Sequence, residues 1–502
     1  MESLSPIILT LVTFIPAAGG LLILLIPRRD RDIKLFALVI SILVFVASLH
    51  LPVHMHRELG TFKFEIDKVW ITTPNIHYHM GIDGISVWLV VLTTFLTPLC
   101  VLISWTSIHE RVKEFFILLL ILESALIGVF TSLDLFLFYF FYEATLIPMA
   151  LLIGMYGHGR KVYAAVKFFL FTMIGSMFML AAIIWLYAKT GSFDFAVIQN
   201  AIRSGSVPGF EAASFWLFLG FFVAFAVKVP IFPLHTWLPD AHVEAPTAGS
   251  VLLAGVLLKM GTYGLIRFNV GLFPEQARRN APWIMVLALI GIIYGALVSL
   301  VQPNMKKLIA YSSVSHLGFV VLGIFSFTTA GLNGAVFVML AHGVATGGLF
   351  MLAGILYERR HTYEISEFGG LATTMPKYAT FFLVTVLASV GLPLMSGFIG
   401  EFLVLTGAFQ AKPIYGILAA TGIIWSAGYL LWMYQRVFFG KVTHDVNLTL
   451  PDLNMREKVA LSPIAIAALV MGVAPLIWLS AIDPAVQAAL GLTQLASKVV
   501  GQ

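Results

Sequence analysis

Residues 218–268 read FLGFFVAFAVKVPIFPLHTWLPDAHVEAPTAGSVLLAGVLLKMGTYGLIRF. Lys228 ends one apolar run and Lys259 interrupts the next. Each lies roughly ten or more residues from the nearest polar end of its segment, about 15 Å at helical rise. A lysine stem reaches only part of that distance. A charge near a bilayer centre costs about 2.5–3.5 kcal/mol on insertion scales. Between the two lysines stand Pro230, Pro233 and Pro239, each without a backbone donor. The stretch reads as a membrane helix broken beside a charge, followed by a second helix with a charge at mid-depth. Glu143 in FLFYFFYEATLIP and Glu401 in SGFIGEFLVL repeat the pattern with the opposite sign.

The rest of the chain agrees. Of 502 residues, 59% are hydrophobic and only 11% charged, where a soluble protein carries about 25% charged residues. The apolar runs are helix-length and continuous, without the alternation of barrel strands. The expected fold class is an all-α polytopic membrane protein of about 14 transmembrane helices. The single cysteine, Cys100, lies in an apolar run and excludes a disulfide framework or a thiolate metal cluster. The net charge of +5 is spread around loops and gives no nucleic-acid signal. MESLSP lacks the basic region of a cleavable signal, so the first apolar run is expected to be retained.

Most of the loop Lys and Arg fall in one alternate set of loops: RRDRDIK, HERVK, GRK, QPNMKK, ERRHTY through MPK, and QRVFFGK through MREK. That bias places this set in the cytoplasm or its equivalent and both termini on the opposite side. Arg57 and Lys498 count with the sparser set.

Two spans are interrupted: the seventh (213–239) by its prolines, and the twelfth (378–409) by Gly391, Pro393, Gly397 and Gly400. Breaks at matching places in two halves indicate inverted repeats. Their five-span separation gives two five-helix units, spans 4–8 and 9–13. The expected organisation is residues 1–112 for spans 1–3, 113–271 and 272–440 for the two repeats, and 441–502 for a loop and the last helix.

Ionisable groups inside such spans read as a charge path. Glu143 and Lys228 read as a pair whose separation frees a proton, since function is the default reading of such a pair inside a membrane; the alternative is a static pair that fixes packing. Lys259 has no acid on its own span and reads as a proton carrier or as the lining of an aqueous crevice. His316 and His342 suit a relay or are satisfied core histidines. Glu401 reads as the exit acid or as a carboxylate at an exposed helix end, and Glu123 poses the same choice. Ser312, Ser313, Ser315 and Thr346 would support water chains. Lys167 reads as snorkelling and Asp134 as a helix N-cap. His235, Asp240, His242 and Glu244 look like metal ligands only superficially, since their spacing matches no compact site.

Several stretches together resemble one family. They are 228–268, GIDGISVWLVVLTTFLTPL, DLFLFYFFYEATLIPM, KKLIAYSSVSHLGFV and FIGEF. They are similar to the antiporter-like subunits of respiratory complex I, NADH:quinone oxidoreductase, over roughly residues 80–440. Within that family the chain is most similar to the chain M branch, the counterpart of mitochondrial chain 4. Glu401 stands where chains L and N typically carry lysine, and chain L's long lateral helix is missing. FFYE replaces the more usual FFWE without touching the acid.

The resemblance implies a proton-translocating membrane subunit of a translocase, with no redox chemistry in this chain. It implies that Glu143 and Lys228 are the coupled pair of the input half, and Lys259 the connecting lysine. His316 and His342 are the bridging relay, and Glu401 the output residue. Beside these, and apart from the resemblance, Glu123, His235, Ser312 and Ser313 are candidate accessory positions. NADH, FMN, iron–sulfur clusters and quinone are expected on partner subunits. Expected partners are the other complex I membrane subunits, chains L and N with the lateral helix of chain L, together with lipids and transported protons. The expected location is a bacterial plasma membrane. A multisubunit sodium/proton antiporter or a membrane-bound hydrogenase shares the lysine signatures. A solute carrier and a static scaffold are the readings from other classes.

Overall fold

The computed structural model describes residues 5–25, 29–55 and 62–491. The expectations about Arg57, Lys498 and the two termini fall on residues outside this set. Among the described residues, twelve helices are long and apolar enough to cross a membrane. The count reaches thirteen if Met455–Val473 and Leu476–Ala489, bent by 66° at their junction, form one span. The chain is a helical, multi-pass membrane protein.

The expected twelfth span consists of two helices, Pro376–Val390 and Ser396–Ala411, of 15 and 16 residues. Each is shorter than the roughly 20 residues that cross a bilayer. The break follows from local chemistry: Gly391 caps the first helix at φ +81°, where a side chain is strained. The seventh span breaks as the prolines dictate. Helix Phe210–Lys228 stops at the lysine itself, and the chain resumes helix only at Trp237–Glu244. Pro230 and Pro233 occupy the gap, while Pro239 sits in the first turn of the second piece, where a missing donor is harmless. Trp237 Nε1 donates to Val227 O at 2.9 Å, satisfying a carbonyl freed beside the break.

One element departs from the all-α expectation. Lys63–Ile71 and Ile76–Ile82 form an antiparallel hairpin between the second and third spans. Its sequence, KFEIDKVWI, carries the alternation and β-branched content of a strand, a signal masked by the surrounding apolar helices.

The core lies in three helices. The apolar windows of Thr247–Val270 and Thr329–Arg360 are fully buried, and that of Met305–Phe325 is 94% buried. The comparable figure is 28% for Asp30–Val53 and 33% for Pro413–Phe438, which form the periphery. Lys259, His316 and His342 sit on the central three. Gly255 and Gly343 set how closely two of these helices approach: a Cβ on Gly343 would lie 3.0 Å from Gly255 O. Small residues at a crossing let membrane helices touch backbone to backbone. Lys259 lies one turn beyond Gly255, and His342 adjoins Gly343, so this crossing brings them together.

A pair of backbone bonds occurs twice. Leu135 N donates to Phe193 O and Phe195 N to Leu133 O; Met305 N donates to Tyr363 O and Ile365 N to Pro303 O. All four positions move along the chain by one constant interval. Asp134 and Asn304, at the matching helix starts, both cap with their side chains.

Candidate functional site

Lys259 lies just after a π-helical turn, Leu253–Leu257. A π turn leaves carbonyls without their usual i+4 donors, and the Lys259 ammonium donates to one of them, Ala254 O. Nζ also lies 2.7 Å from His342 Nδ1. The residue has no exposure and, among the described residues, no carboxylate partner. Its partner is a histidine, whose neutral ring nitrogen accepts from an ammonium.

His342 leads onward. Its ring centroid is 5.8 Å from that of His316, and its Nε2 has no protein partner. A small cavity beside the two rings is lined by His316, His342, Thr346, Ser389 and Glu401. His316 Nδ1 lies 3.0 Å from Glu401 Oε1, and His316 Nε2 is 3.4 Å from the Tyr429 hydroxyl. Glu401 is only 3% exposed, so it is no surface carboxylate. Its second oxygen packs against the break, where a Cβ on Gly391 would lie 2.9 Å from Oε2. Lys259, His342, His316 and Glu401 thus form one line through four helices, ending at the broken twelfth span.

The other half is less tightly joined. Lys228 Nζ sits 4.9 Å from the centroid of the Tyr142 ring and 5.6 Å from that of Phe168. Nζ and Glu143 Oε1 have no hydrogen-bond partner. Glu143, the residue after Tyr142, acts on the ammonium electrostatically, yet the two are not within the 4.0 Å of an ion pair. The structure places them as neighbours, with the ammonium held against aromatic faces.

The remaining predicted positions separate. Glu123 is wholly buried, and among the described residues neither of its oxygens has a hydrogen-bond partner. His235 packs against Phe232 and Tyr294. Ser312 and Ser313 hydroxyls donate to Ile309 O on their own helix. Asp134 is an N-cap, accepting from Phe136 N and Leu137 N at 2.9 Å. Lys167 does not snorkel freely; it pairs with Asp240 at 2.6 Å. Of the metal-like quartet, Asp240 is thereby engaged, and the His242 ring stacks on Phe350.

Comparison with known proteins follows the same lines. The sequence model of the family described as NADH:quinone oxidoreductase/Mrp antiporter, transmembrane part, matches residues 132–425. The chain belongs to this family. A second model, for the amino terminus of NADH-ubiquinone oxidoreductase chain 4, matches residues 13–129. This member of the family is 44% identical to NADH-quinone oxidoreductase subunit M of Rhodobacter capsulatus, covering 95% of both chains. It is also 44% identical to NADH-ubiquinone oxidoreductase chain 4 of Marchantia polymorpha, covering 94% of both. A chain of respiratory complex I from Thermus thermophilus with bound NADH superposes with TM-score 0.88 at 34% identity, covering 96% of this chain and 99% of that one. A chain of the Mrp complex from Dietzia sp. shares the fold, with TM-score 0.83 at 19% identity, covering 97% and 100%.

Sequence reasoning gave no role to three groups that this family member buries. Lys306, counted as a loop lysine, is 1% exposed. Arg267 Nη2 pairs with Asp83 Oδ2 at 2.6 Å, tying the eighth span to the start of the third. His242 is wholly buried with neither ring nitrogen bonded. The signal for Lys306 was its neighbourhood, since KKLIAYSS opens a helix whose first turn is already inside the protein.

Proposed function

We propose that this chain is a proton-translocating membrane subunit of NADH:quinone oxidoreductase. NADH oxidation and quinone reduction, with FMN, iron–sulfur clusters and quinone, belong to partner subunits, and this chain moves protons. The observation that carries the reading is the line Lys259–His342–His316–Glu401, contiguous and buried at the centre of the fold. The relatives named subunit M and chain 4 support it over most of their length.

The steps are proton transfers. The Lys259 ammonium gives a proton to His342 Nδ1 and becomes a neutral amine. The proton leaves His342 from Nε2, crosses the short gap to His316 through one bridging water, and reaches the Glu401 carboxylate from Nδ1. Lys228 recharges Lys259, and approach of Glu143 to Lys228 alternately holds and releases that proton. Moving one charge against 100 mV requires about 2.3 kcal/mol. A two-unit change in one lysine's pKa supplies about 2.7 kcal/mol, so making and breaking one ion pair is of the right size.

The finer architecture belongs to the same proposal. Two inverted five-helix repeats, in residues 113–271 and 272–440, give about 14 spans when the two short helices around residues 391–395 count as one. The twice-occurring backbone bonds support the repeat. The basic loops face the cytoplasm of a bacterium, the termini face the periplasm, and the chain lies between chains L and N with chain L's lateral helix alongside.

The test is NADH-driven proton uptake by the reconstituted complex with wild-type chain and with Lys228→Ala. Quinone reduction and pumping falling together in a fully assembled variant supports the proposal; normal rates overturn it. The shared fold of the Mrp chain favours a second reading, a subunit of a multisubunit sodium/proton antiporter. Purification without any NADH-oxidising partner would make that reading the better one.

A further inference from the structure

The twice-occurring backbone bonds extend to a pair of arginines. Arg267 and Arg436 each stand four residues before a glycine, Gly271 and Gly440. At or just before each glycine, a carbonyl accepts from the segment that follows the repeated bonds. Gln199 Nε2 donates to Gly271 O at 2.9 Å, and Gly370 N to Phe439 O at 3.1 Å. The two arginines thus hold matching places, yet only one has a counter-charge. Arg267 pairs with Asp83 at 2.6 Å. Arg436 has no ion pair among the described residues, and no acid there acts on its charge. Its Nε and Nη2 are covered by protein without a hydrogen-bond partner, a state that costs free energy and needs an explanation. Packing on Trp432, 4.0 Å from the ring centroid, supplies no acceptor.

A cavity of about 300 Å³ opens on this arginine, lined by Pro303, Ile365, Ser366, Phe368 and Arg436. The acids of the neighbouring turn are already engaged. Glu364 accepts from Asn304 Nδ2 at 3.1 Å, and Glu367 from Arg360 Nη2 at 3.2 Å, with His444 Nε2 at 3.8 Å. The cavity therefore presents an unmatched positive charge to whatever enters it. Arg436 stands in the last turn of Pro413–Phe438, at the basic-loop end of a peripheral span. On the same helix Ile424, Trp425, Leu431 and Trp432 are exposed, and their seven-residue spacing puts them on one face. A half-exposed tryptophan near a helix end marks the level of lipid headgroups. A cationic cavity at that level, beside an exposed apolar face, matches a phospholipid: charge at the head, acyl chains along the helix.

We propose that this cavity binds an anionic phospholipid, whose phosphate stands to Arg436 as the Asp83 carboxylate stands to Arg267. The planar guanidinium fork matches two phosphate oxygens. Turned toward the cavity, it gives Nε and Nη2 the acceptors they lack. Pro303, Ile365 and Phe368 make most of the lining apolar, which suits the glycerol and first methylenes of a lipid better than a free phosphate ion. The inference goes beyond the proton-translocation reading and does not depend on it.

The test uses the whole complex from native membranes with Ser366→p-benzoylphenylalanine, a photoreactive residue at the exposed rim of the cavity. It is reconstituted in vesicles of phosphatidylglycerol and phosphatidylcholine in equal parts, with subunit content checked. After illumination, the mass of this chain reports what lay beside the residue. The expected result is a phosphatidylglycerol adduct several-fold in excess of phosphatidylcholine, falling several-fold when Arg436→Gln is added. Equal adducts of the two lipids, unchanged by Arg436→Gln, overturn the site. A cross-link to another subunit in place of lipid also overturns it and assigns the counter-charge to a protein carboxylate. Loss of the lipid adduct on adding inorganic phosphate assigns the cavity to the free ion and overturns it as well. If the photoreactive variant fails to assemble or gives no adduct, the phosphatidylglycerol retained by wild type and by Arg436→Gln after detergent washing decides. One molecule fewer per complex in the variant supports the site, and equal counts overturn it.

Discussion

The ring of His316, on helix Met305–Phe325, meets the carboxylate of Glu401 across 3.0 Å, joining the central bundle to the helix that restarts after residues 391–395. Both partners are at most 5% exposed in their side chains, so the contact is not shared with bulk solvent. Glu401→Gln preserves the shape and a hydrogen bond while removing the proton-accepting charge. The complex should assemble, with proton uptake and quinone reduction both strongly reduced. Normal pumping by an assembled Glu401→Gln complex would remove this residue from the path.

Lys259 is held by His342 Nδ1 and Ala254 O, with no carboxylate among the described residues in an ion pair with it. A carrier must lose its proton, and arginine does not do so in proteins. Lys259→Arg should therefore be as inactive as Lys259→Met in NADH-driven uptake. If the site needed only a fixed positive charge, the arginine variant would keep most of the activity, and the measurement separates the two roles.

Lys228 lies against the rings of Tyr142 and Phe168, without an ion pair. Removing Glu143 therefore leaves the ammonium where it already rests. Glu143→Gln is expected to leave the subunit content of the complex unchanged while slowing proton uptake. Loss of the subunit from membranes, read by immunoblot, would mark Glu143 as a packing partner instead.

Asp83 accepts from Arg267, Ser86 N and Ile85 N at the start of Ser86–Ile103. Burial raises its pKa, and Arg267 with the Ser86 bonds more than offsets this, leaving it below the ordinary value. Truncating one side of a buried pair costs about 3–5 kcal/mol because the other charge is left unpaired. Asp83→Ala should sharply lower the thermal stability of the assembled complex. A double variant, Asp83→Leu with Arg267→Met, should recover most of it, and a double variant as unstable as the single would contradict this account.

His79, on the hairpin, lies 2.5 Å from Asp194, which also caps helix Phe195–Arg203 by accepting from Val197 N. Burial opposes the charge on His79, but the Asp194 bond and charge prevail and raise its pKa above 6.5. Burial likewise opposes the Asp194 charge, and the His79 bond brings its pKa below 3.8. Stability from His79 is complete below its unfolded value and fades as pH rises through the higher folded one. Stability from Asp194 is complete above its unfolded value and fades as pH falls through the lower folded one. The protection of residues 63–82 from hydrogen exchange, taken relative to the intrinsic rate at each pH, should thus be greatest between about pH 4 and 6.5 and fall above. Asp194→Asn should flatten that dependence; an unchanged profile would show that the pair does not anchor the hairpin.

Helix length, apolar runs and misplaced charges were legible because the bilayer punishes exceptions: a lysine after FLGFFVAFAV has few explanations. The break at Lys228 was equally plain, since proline removes a donor wherever it stands. The hairpin of Lys63–Ile71 and Ile76–Ile82 was not read, because its short alternation is masked by the apolar helices on either side. The contact between Lys167 and Asp240 was not readable either, since it joins residues far apart in sequence.

The sequence by itself determined a helical membrane protein, the places where its spans break, and most of the ionisable side chains that lie at depth. Those follow from local chemistry: hydropathy over a window, proline geometry and the cost of a buried charge. Only the tertiary structure decided which of those groups meet. The Gly255–Gly343 crossing sets Lys259 on His342, while the Lys228 ammonium rests on Tyr142 rather than on the Glu143 carboxylate. Pairings of this kind depend on how closely helices approach and how far they rotate about their axes, and no local stretch of sequence encodes either.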